Sequence, residues 1–282
     1  MRRFRYVLAD VFTSTALQGN QLAVFTDARD LDGPTMQALA RETNLSETVF
    51  VLPPGDDAAD VRIRIFTPAA ELPFAGHPVL GTAFVLGGPL QKITIRIETP
   101  VGVVPVELER EGARIVFGWM DQPVPTWRPF EREKEILAAL GVERSSLPVE
   151  QYELGPTFAY VELGSAEEVA ALAPDLPAIA RVTAGGAVCF ATGDGAWKVR
   201  VFVPSVGVPE DPATGSAAGP LAVHLARHGR TAFGEQIEID QGREVGRPSW
   251  LHAVAEGTPE RIERVRVGGS AVLVARGEFS VP

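Results

Sequence analysis

A short unit occurs twice in this chain of 282 residues. The pattern Arg-x-Phe-x-Pro occupies residues 64–68 and again residues 200–204, and the offset is constant because 200 − 64 and 204 − 68 both equal 136. A turn rich in Pro and Gly follows each copy, and then an apolar run, Val79 to Leu86 in the first copy and Ala217 to Leu225 in the second. The simplest interpretation is a pair of similar domains.

Each copy is typical of a strand, a turn and a buried helix. Residues 61–66 and 197–203 show the alternation and the β-branched or aromatic enrichment of strands. The apolar runs are apolar on most sides, which predicts helices inside a core. A helix that begins at Gly76 or Gly215 presents free backbone N–H groups and a partial positive charge at its start. Two such starts that face one cleft would hold an anion.

The remaining chain contains many short strand patterns and few helical ones. These features predict an α+β fold with two strand-rich domains, each wrapped on an apolar helix. The proline-rich segment from Asp121 to Pro129 lacks periodicity and is the best candidate for a linker. We therefore expect domains at residues 1–125 and 126–282, and a return of the last strand to the N-terminal domain stays open.

Composition and charge exclude several classes of function. The chain has 26 basic and 36 acidic residues, a net charge of −10, which disfavours nucleic acid and anionic membranes as partners. We find no apolar run of 18 residues that would predict a membrane span, and the N-terminus does not have the pattern of a signal peptide. The single cysteine, Cys189, can form no intrachain disulfide, so we expect a cytoplasmic protein in which this residue is a small buried hydrophobe.

Three polar residues are candidates for chemistry, and each also has a purely structural interpretation. Glu47 lies where a turn enters an apolar strand, and partial desolvation there would raise its pKa toward the range of a general base; the alternative is a capping or surface glutamate. Asp211 precedes a proline, which is also an ordinary start signal for a helix. His77 is either a site residue or a satisfied structural histidine.

Metal and nucleotide motifs receive little support. His224 and His228 have the i, i+4 spacing that can chelate zinc, but the dipole at a helix C-terminus favours histidines as well. We expect no metal. A zinc hydrolase stays an alternative, which metal analysis of the purified protein would exclude if it found no stoichiometric zinc. The sequence contains neither a phosphate-binding Gly-x-x-x-x-Gly-Lys-Ser/Thr nor a nucleophile elbow Gly-x-Ser-x-Gly.

Taken together, five segments carry a family resemblance. The segments are Gly19-Asn20-Gln21-Leu22-Ala23-Val24, Asn44-Leu45-Ser46-Glu47-Thr48, Phe74-Ala75-Gly76-His77-Pro78, residues 210–217 with the sequence Glu-Asp-Pro-Ala-Thr-Gly-Ser-Ala, and Gln241-Gly242 with Gly246-Arg247-Pro248-Ser249. In this order they resemble the signatures of the phenazine-biosynthesis isomerase (PhzF-like) family. Gln21 and Pro209 depart from the family pattern, which leaves the shape of the cleft, and hence the substrate, open.

The resemblance implies a diaminopimelate-epimerase-like fold, with two pseudo-symmetric barrel-like domains, each around a central helix, and a site in the cleft between them. It implies that Glu47 is the acid/base, and that the best-known relatives isomerise a dihydro-hydroxyanthranilate without a cofactor as homodimers. The site residues implied are, for catalysis, Glu47, His77 and Asp211, and for substrate binding, Gly76, Gly215 and Ser216. Epimerases of this fold that use two opposed cysteines are no guide here, because this chain has one.

Our main hypothesis from the sequence is a cofactor-independent isomerase that moves a proton between carbons of a small carboxylate. Removing a proton next to an unsaturated carboxylate or amine needs one base that can also return it, together with fixed dipoles for the developing charge. The alternative from another class is a non-catalytic protein that binds or senses a small carboxylate, because a fold does not by itself imply an activity.

Overall fold

A computed structural model describes residues 1–281 of the chain. The described residues form 18 strands and six α-helices. The strands are β1 (Arg2–Val11), β2 (Asn20–Phe25), β3 (Glu47–Leu52), β4 (Val61–Phe66), β5 (Glu71–Leu72), β6 (Thr94–Thr99), β7 (Gly102–Glu111), β8 (Arg114–Gln122), β9 (Thr126–Pro129), β10 (Glu150–Glu153), β11 (Thr157–Glu162), β12 (Gly186–Thr192), β13 (Trp197–Val203), β14 (Val208–Asp211), β15 (Gln236–Gln241), β16 (Ser249–Gly257), β17 (Ile262–Gly269) and β18 (Ala271–Val281). The helices are α1 (Gly33–Thr43), α2 (Gly76–Leu90), α3 (Glu133–Leu140), α4 (Ala166–Ala170), α5 (Leu176–Val182) and α6 (Gly215–Arg227). The predicted α+β class, rich in strands, is confirmed.

The chain divides into two compact units. The first unit comprises Met1–Asp121 together with the segment that begins at Gly268, and the second comprises Gln122–Val267. Strand β18 belongs to the first unit, where it pairs antiparallel with β1 along its whole length, from Ala271 opposite Val11 to Val281 opposite Arg2. Strand β1 therefore lies between β2 and β18.

The two units have the same order of strand pairings. In the first unit β2 and β3 are parallel, β3 and β4 are antiparallel, and β4 and β6 are parallel. In the second unit the same relations join β11 with β12, β12 with β13, and β13 with β15. The repeat of 136 residues is therefore a repeat of topology, which confirms the predicted pseudo-symmetry.

A buried helix lies at the core of each unit. The first twelve residues of α2, from Gly76 to Gly87, are all buried, and this helix contacts β1, β2, β3, β6 and β7. A Cβ atom at Gly81 would lie 2.6 Å from the Leu22 side chain, so the absence of a side chain lets helix and strand approach closely. In α6 the residues from Gly215 to Ala226 are buried as well. The prediction of two buried apolar helices is confirmed.

The Arg-x-Phe motif makes the same contacts in both units. Arg64 forms a two-pronged ion pair with Glu71, with Nε–Oε1 and Nη2–Oε2 distances of 2.7 Å. Arg200 forms the same pair with Glu210, at 2.9 and 2.7 Å. Each guanidinium also lies over the ring of the phenylalanine two residues later, 5.0 and 4.9 Å from its centroid. The motif therefore joins the strand of each repeat to the short strand that follows it.

One element predicted from the sequence is wrong. The segment from Asp121 to Pro129 is not a linker over its whole length, because Thr126–Pro129 forms β9 and pairs antiparallel with β10. Proline is tolerated at the end of a strand, where the missing N–H costs little. Pro129 is the last residue of β9, opposite Glu150.

Two further expectations concern single features. Cys189 is completely buried in β12, and burial raises the pKa of its thiol, so its prediction as a small buried side chain is confirmed. None of the helices within residues 1–281 combines the length and the apolar character that crossing a membrane requires.

Candidate functional site

In the first unit the structure brings Glu47 and His77 together. Glu47 is the first residue of β3, and His77 is the second residue of α2. Glu47 Oε2 lies 3.3 Å from His77 Nε2, with side-chain exposures of 13% and 2%. The carboxylate is thus mostly removed from water but still reachable, and it lies against the deeply buried imidazole.

His77 is an uncharged partner for this carboxylate. Burial lowers the pKa of His77 to about 3, and a hydrogen bond with the backbone of Gln21 opposes this shift only in part. The amide nitrogen of Asn20 lies 3.3 Å from His77 Nδ1. His77 Nε2 is the ring atom that faces Glu47. A neutral, buried imidazole therefore lies against the Glu47 carboxylate and restricts its orientation by packing.

We expect His77 to stay neutral throughout the physiological pH range. Its ring proton signals, followed by NMR, should not move between pH 5 and pH 8. Between the folded pKa of about 3 and the unfolded value of 6.5, the unfolded chain binds a proton on His77 that the folded chain does not. The free energy of unfolding is therefore highest above pH 6.5 and decreases as the pH falls. From pH 6.5 to pH 5 this loss is about 2 kcal/mol. A titration of the His77 ring with a midpoint near pH 6 would contradict the assignment.

The starts of the two central helices lack the side-chain caps that α1, α4 and α5 have. Asp32, Ser165 and Asp175 each accept a hydrogen bond from the first turn of α1, α4 and α5. Ala75 and Thr214, which precede α2 and α6, make no such bond, and the first turns of both helices contain no acidic residue. Their partial positive charge is therefore not offset by their own side chains, so each start can accept an anion.

In the second unit a buried turn holds Asp211 in front of α6. Thr214 Oγ1 donates to Asp211 Oδ2 at 2.6 Å. Gln241, the last residue of β15, donates from Nε2 to the Asp211 carbonyl at 2.7 Å and to Thr214 Oγ1 at 3.0 Å, and its Oε1 accepts from the Thr214 N–H at 3.2 Å. Gln241 thus fixes both ends of the turn that leads into Gly215 and Ser216, the first two residues of the helix.

Two other residues complete the support of this turn. Gly242 adopts a φ of +83°, and a Cβ atom there would lie 2.4 Å from the Pro212 carbonyl oxygen, so only glycine lets the backbone pass so close. Gln122 Nε2 donates to the Gly215 carbonyl at 2.9 Å. The contacts of Gln241 and Gly242 with this turn explain why the Gln-Gly pair at residues 241–242 accompanies the Asp-Pro-Ala-Thr-Gly-Ser segment.

A Gln241→Leu variant should lose stability because the turn loses its donors and its acceptor while the buried partners remain. Each buried polar group left without a partner costs about 1–3 kcal/mol, so we expect a loss of about 2–4 kcal/mol in urea unfolding. Gln236→Leu, an exposed position in the same strand, is the matched control and should change stability by less than about 0.5 kcal/mol. Equal effects of the two substitutions would contradict this role of Gln241.

The His224 and His228 pair contacts a third polar residue that the sequence did not indicate. Glu150 Oε2 lies 3.2 Å from His224 Nδ1 and 3.1 Å from His228 Nε2, and the three residues could in principle hold a metal ion. The same oxygen, however, accepts from Arg227 Nη1 at 2.7 Å and from the Tyr152 hydroxyl at 2.9 Å.

These contacts favour a hydrogen-bonded network over a metal site. Burial raises the pKa of Glu150, but the hydrogen bonds from His224, Arg227, His228 and Tyr152 outweigh it and hold the pKa well below its usual range. A cation placed there would meet the Arg227 guanidinium at close range, which is repulsive. The cluster also lies near the C-terminal end of α6, about 12 Å along the helix from Ser216.

The sequence-based site residues thus fall into two groups, one in each unit. Glu47, His77 and Gly76 lie together in the first unit, and Asp211, Gly215 and Ser216 lie together in the second. Sequence reasoning missed the supporting residues Asn20, Thr214, Gln241 and Gln122. The first three stand inside the motifs that carry the family resemblance, which was the available signal, whereas Gln122 stands in none of them.

Comparisons with known proteins cover almost the whole chain. The family model of the phenazine biosynthesis-like proteins (PhzC-PhzF) matches residues 9–277. A trans-2,3-dihydro-3-hydroxyanthranilate isomerase of Pseudomonas aeruginosa is 51% identical over 273 residues, which is 97% of this chain and 98% of that protein.

Solved structures agree with this comparison. A predicted epimerase from Pseudomonas aeruginosa has a TM-score of 0.83 and 33% identity, and the match covers 99% of this chain and all of the other. A hydroxyproline epimerase from Agrobacterium vitis has a TM-score of 0.71 at 12% identity, with 98% and 92% of the two chains covered. The second likeness shows the fold alone, and this confirms the predicted epimerase-like architecture.

Proposed function

Because the chain belongs to the phenazine biosynthesis-like protein family and is an isomerase, we propose that it moves a proton between carbons of trans-2,3-dihydro-3-hydroxyanthranilate or a closely similar cyclic carboxylate. Three curated isomerases named for this substrate are 49–51% identical to the chain, each over at least 96% of its length. Identity at this level along the full chain supports a shared reaction as well as a shared fold.

The observation that carries the proposed chemistry is the contact between Glu47 and neutral His77. In this proposal the Glu47 carboxylate takes a proton from a substrate carbon, so that a C–H bond breaks and an O–H bond forms. The resulting carboxylic acid then returns the proton to another carbon of the same ring, and the molecular formula does not change. One base on one face is sufficient for both steps. The neutral His77 ring, 3.3 Å from Glu47 Oε2, keeps the carboxylate oriented between the two steps.

The other site residues are proposed to bind the anionic substrate. The uncapped helix starts at Gly76 and Gly215 can donate backbone hydrogen bonds to a carboxylate. Ser216 adds a hydroxyl at the second of these starts, and Asp211 can accept hydrogen bonds from a substrate amine or hydroxyl. Fixed dipoles of this kind stabilise charge that develops during proton removal without reorganising.

Further parts of the proposal concern the protein as a whole. A proton shift needs a base and fixed dipoles, so we expect no cofactor. We also expect a homodimer and a cytoplasmic location. Light scattering of the purified protein measures the oligomeric state, and a monomeric mass would remove the dimer from the proposal.

Proton NMR in deuterated water with trans-2,3-dihydro-3-hydroxyanthranilate tests the proposed function. We expect the substrate signals to be replaced by those of an isomer, with deuterium incorporated at the carbon that receives the proton. If the compound binds, as judged by thermal stabilisation, but undergoes neither conversion nor exchange, the substrate assignment is wrong and a binding function is favoured. If it does not bind at all, other cyclic carboxylates are to be screened in the same way.

A further inference from the structure

A second cavity in the first unit lies away from Glu47 and His77. It has a volume of about 820 Å³ and is lined by β1, the C-terminal end of α2, the hairpin between β7 and β8, and β18. The lining begins in α2 at Phe84 and reaches Pro89, whereas His77 lies in the first turn. Between Gly76 and Gly88 the helix rises by about 18 Å. The cavity is therefore separate from the candidate site of this unit.

Three arginines surround this cavity, and its lining contains no acidic residue. Arg5, Arg114 and Arg276 are all exposed, and they come from three different elements. Within residues 1–281 none of the three side chains makes an ion pair or a hydrogen bond. Three guanidinium groups without an ion pair thus surround one cavity in a chain whose net charge is −10. They form a local positive site that an anion would neutralise.

Acidic residues stand opposite two of these arginines in the strand pairings, but neither forms an ion pair with the arginine that it faces. Glu111 stands opposite Arg114 in the pairing of β7 with β8, and within residues 1–281 the two side chains form no ion pair. Glu278 stands opposite Arg5 in the pairing of β1 with β18, but its carboxylate contacts Arg3 at 3.4 Å. Asp27, which follows the lining residue Thr26, accepts from Arg29 at 2.9 Å. The three arginines of the cavity therefore have their donors available, in the geometry that binds carboxylate or phosphate oxygens.

The wall of the cavity is apolar. Phe84, Leu86, Pro89, Ile115 and Leu273 contribute to it, and Leu273 is 43% exposed. Apolar surface in a concave site is the usual lining for the body of a small organic ligand, and a volume between about 300 and 1,000 Å³ is typical of such sites. Arginines at the rim and an apolar wall together fit a ligand with an apolar ring and a negative group.

The C-terminal end of α2 does not oppose an anion here. Its partial negative charge would repel one if its carbonyl groups were free. The carbonyl of Gly87 accepts hydrogen bonds from the Gln91 N–H at 3.0 Å and from Arg110 Nη2 at 2.8 Å, and the Gly88 carbonyl accepts from the Gln91 N–H as well. Arg110 and the helix cap therefore offset the charge of this helix end.

We propose that this cavity is a binding site for an aromatic carboxylate, distinct from the site of isomerisation. The ring would pack on Ile115 and Leu273, and the carboxylate would be bound by guanidinium groups of Arg5, Arg114 and Arg276. This proposal does not depend on the reaction that the Glu47 site performs, because it rests on a separate set of side chains.

Calorimetric titration with naphthalene-1-carboxylate tests the site, with naphthalene-1-methanol as the uncharged analogue and inorganic phosphate as charge without a ring. We expect the carboxylate to bind more tightly than either, and the Arg5→Gln, Arg114→Gln, Arg276→Gln triple variant to weaken it by at least about tenfold. The matched control changes three exposed arginines of the same unit that lie outside the cavity, Arg41, Arg62 and Arg96, to Gln. It alters the net charge equally and should leave the affinity unchanged.

Methyl NMR locates the bound probe independently of affinity. The Ile115 and Leu273 methyl signals should shift on addition of the carboxylate, and Leu273→Glu, which places a negative charge in the wall, should abolish these shifts. The proposal is overturned if both triple variants weaken binding equally, if the shifts fall around Glu47 instead, or if light scattering and the same methyl signals show that a second copy of the chain covers the cavity.

Discussion

A Glu47→Gln variant is expected to lose isomerase activity almost completely while it still binds substrate. The amide has nearly the same size and keeps an oxygen near His77, but it cannot take up a proton from carbon. General acid–base groups contribute about 10²- to 10⁴-fold to rates, which corresponds to about 3–5.5 kcal/mol of transition-state stabilisation. We expect kcat/KM to fall by this factor and solvent deuterium incorporation into the substrate to stop.

Two measurements separate loss of the base from loss of the fold. The thermal midpoint of Glu47→Gln should stay close to that of the parent, since a partly exposed carboxylate is replaced by a group of equal volume. Glu42→Gln, an exposed position on α1, removes the same charge from the same unit and should leave activity unchanged. Full deuterium exchange by Glu47→Gln would show that another residue is the base, without affecting the family assignment.

The fold could be predicted from the sequence because its main feature is a repeat. A constant offset between two copies of one motif fixes the number of similar domains and the place of a helix in each. The parallel pairing of β2 with β3 and of β4 with β6 could not be predicted, since residue alternation is the same in parallel and antiparallel strands. The same limit applies to β9, which prolines concealed.

The sequence predicted which residues belong to the candidate site, but it did not predict the contacts between them. Glu47 and His77 are thirty positions apart, and only the tertiary fold determines that Nε2 faces the carboxylate. The i, i+4 spacing of His224 and His228 indicated that their rings lie close together, but their partner Glu150 and the neighbouring Arg227 come from packing that no local pattern reports. Hydrogen bonds and ion pairs between residues distant in the sequence could therefore be identified only from the structure.

Replacing Arg200 with Met is expected to cost far more stability than the same change at Arg64, although the two residues occupy equivalent places in the repeat. The side chains of Arg200 and Glu210 are 9% and 10% exposed, whereas those of Arg64 and Glu71 are 32% and 39% exposed. Breaking a buried pair leaves an uncompensated charge and costs about 3–5 kcal/mol, while an exposed pair contributes about 0–1 kcal/mol. Urea unfolding followed by tryptophan fluorescence measures both losses.

The difference follows from burial, because the ion-pair geometry is nearly the same in the two copies. Arg200 Nη1 also donates to the carbonyls of Ala170 and Leu172, at 3.1 and 2.7 Å, and these acceptors lose a partner in the variant. If Arg200→Met does not fold, Glu210→Gln compared with Glu71→Gln asks the same question with a smaller perturbation. Salt gives a second readout, since 1 M NaCl screens exposed charges and should reduce the cost of Arg64→Met but not that of Arg200→Met. Equal losses in both copies would mean that the ion pair contributes through its geometry alone, against the role of burial argued here.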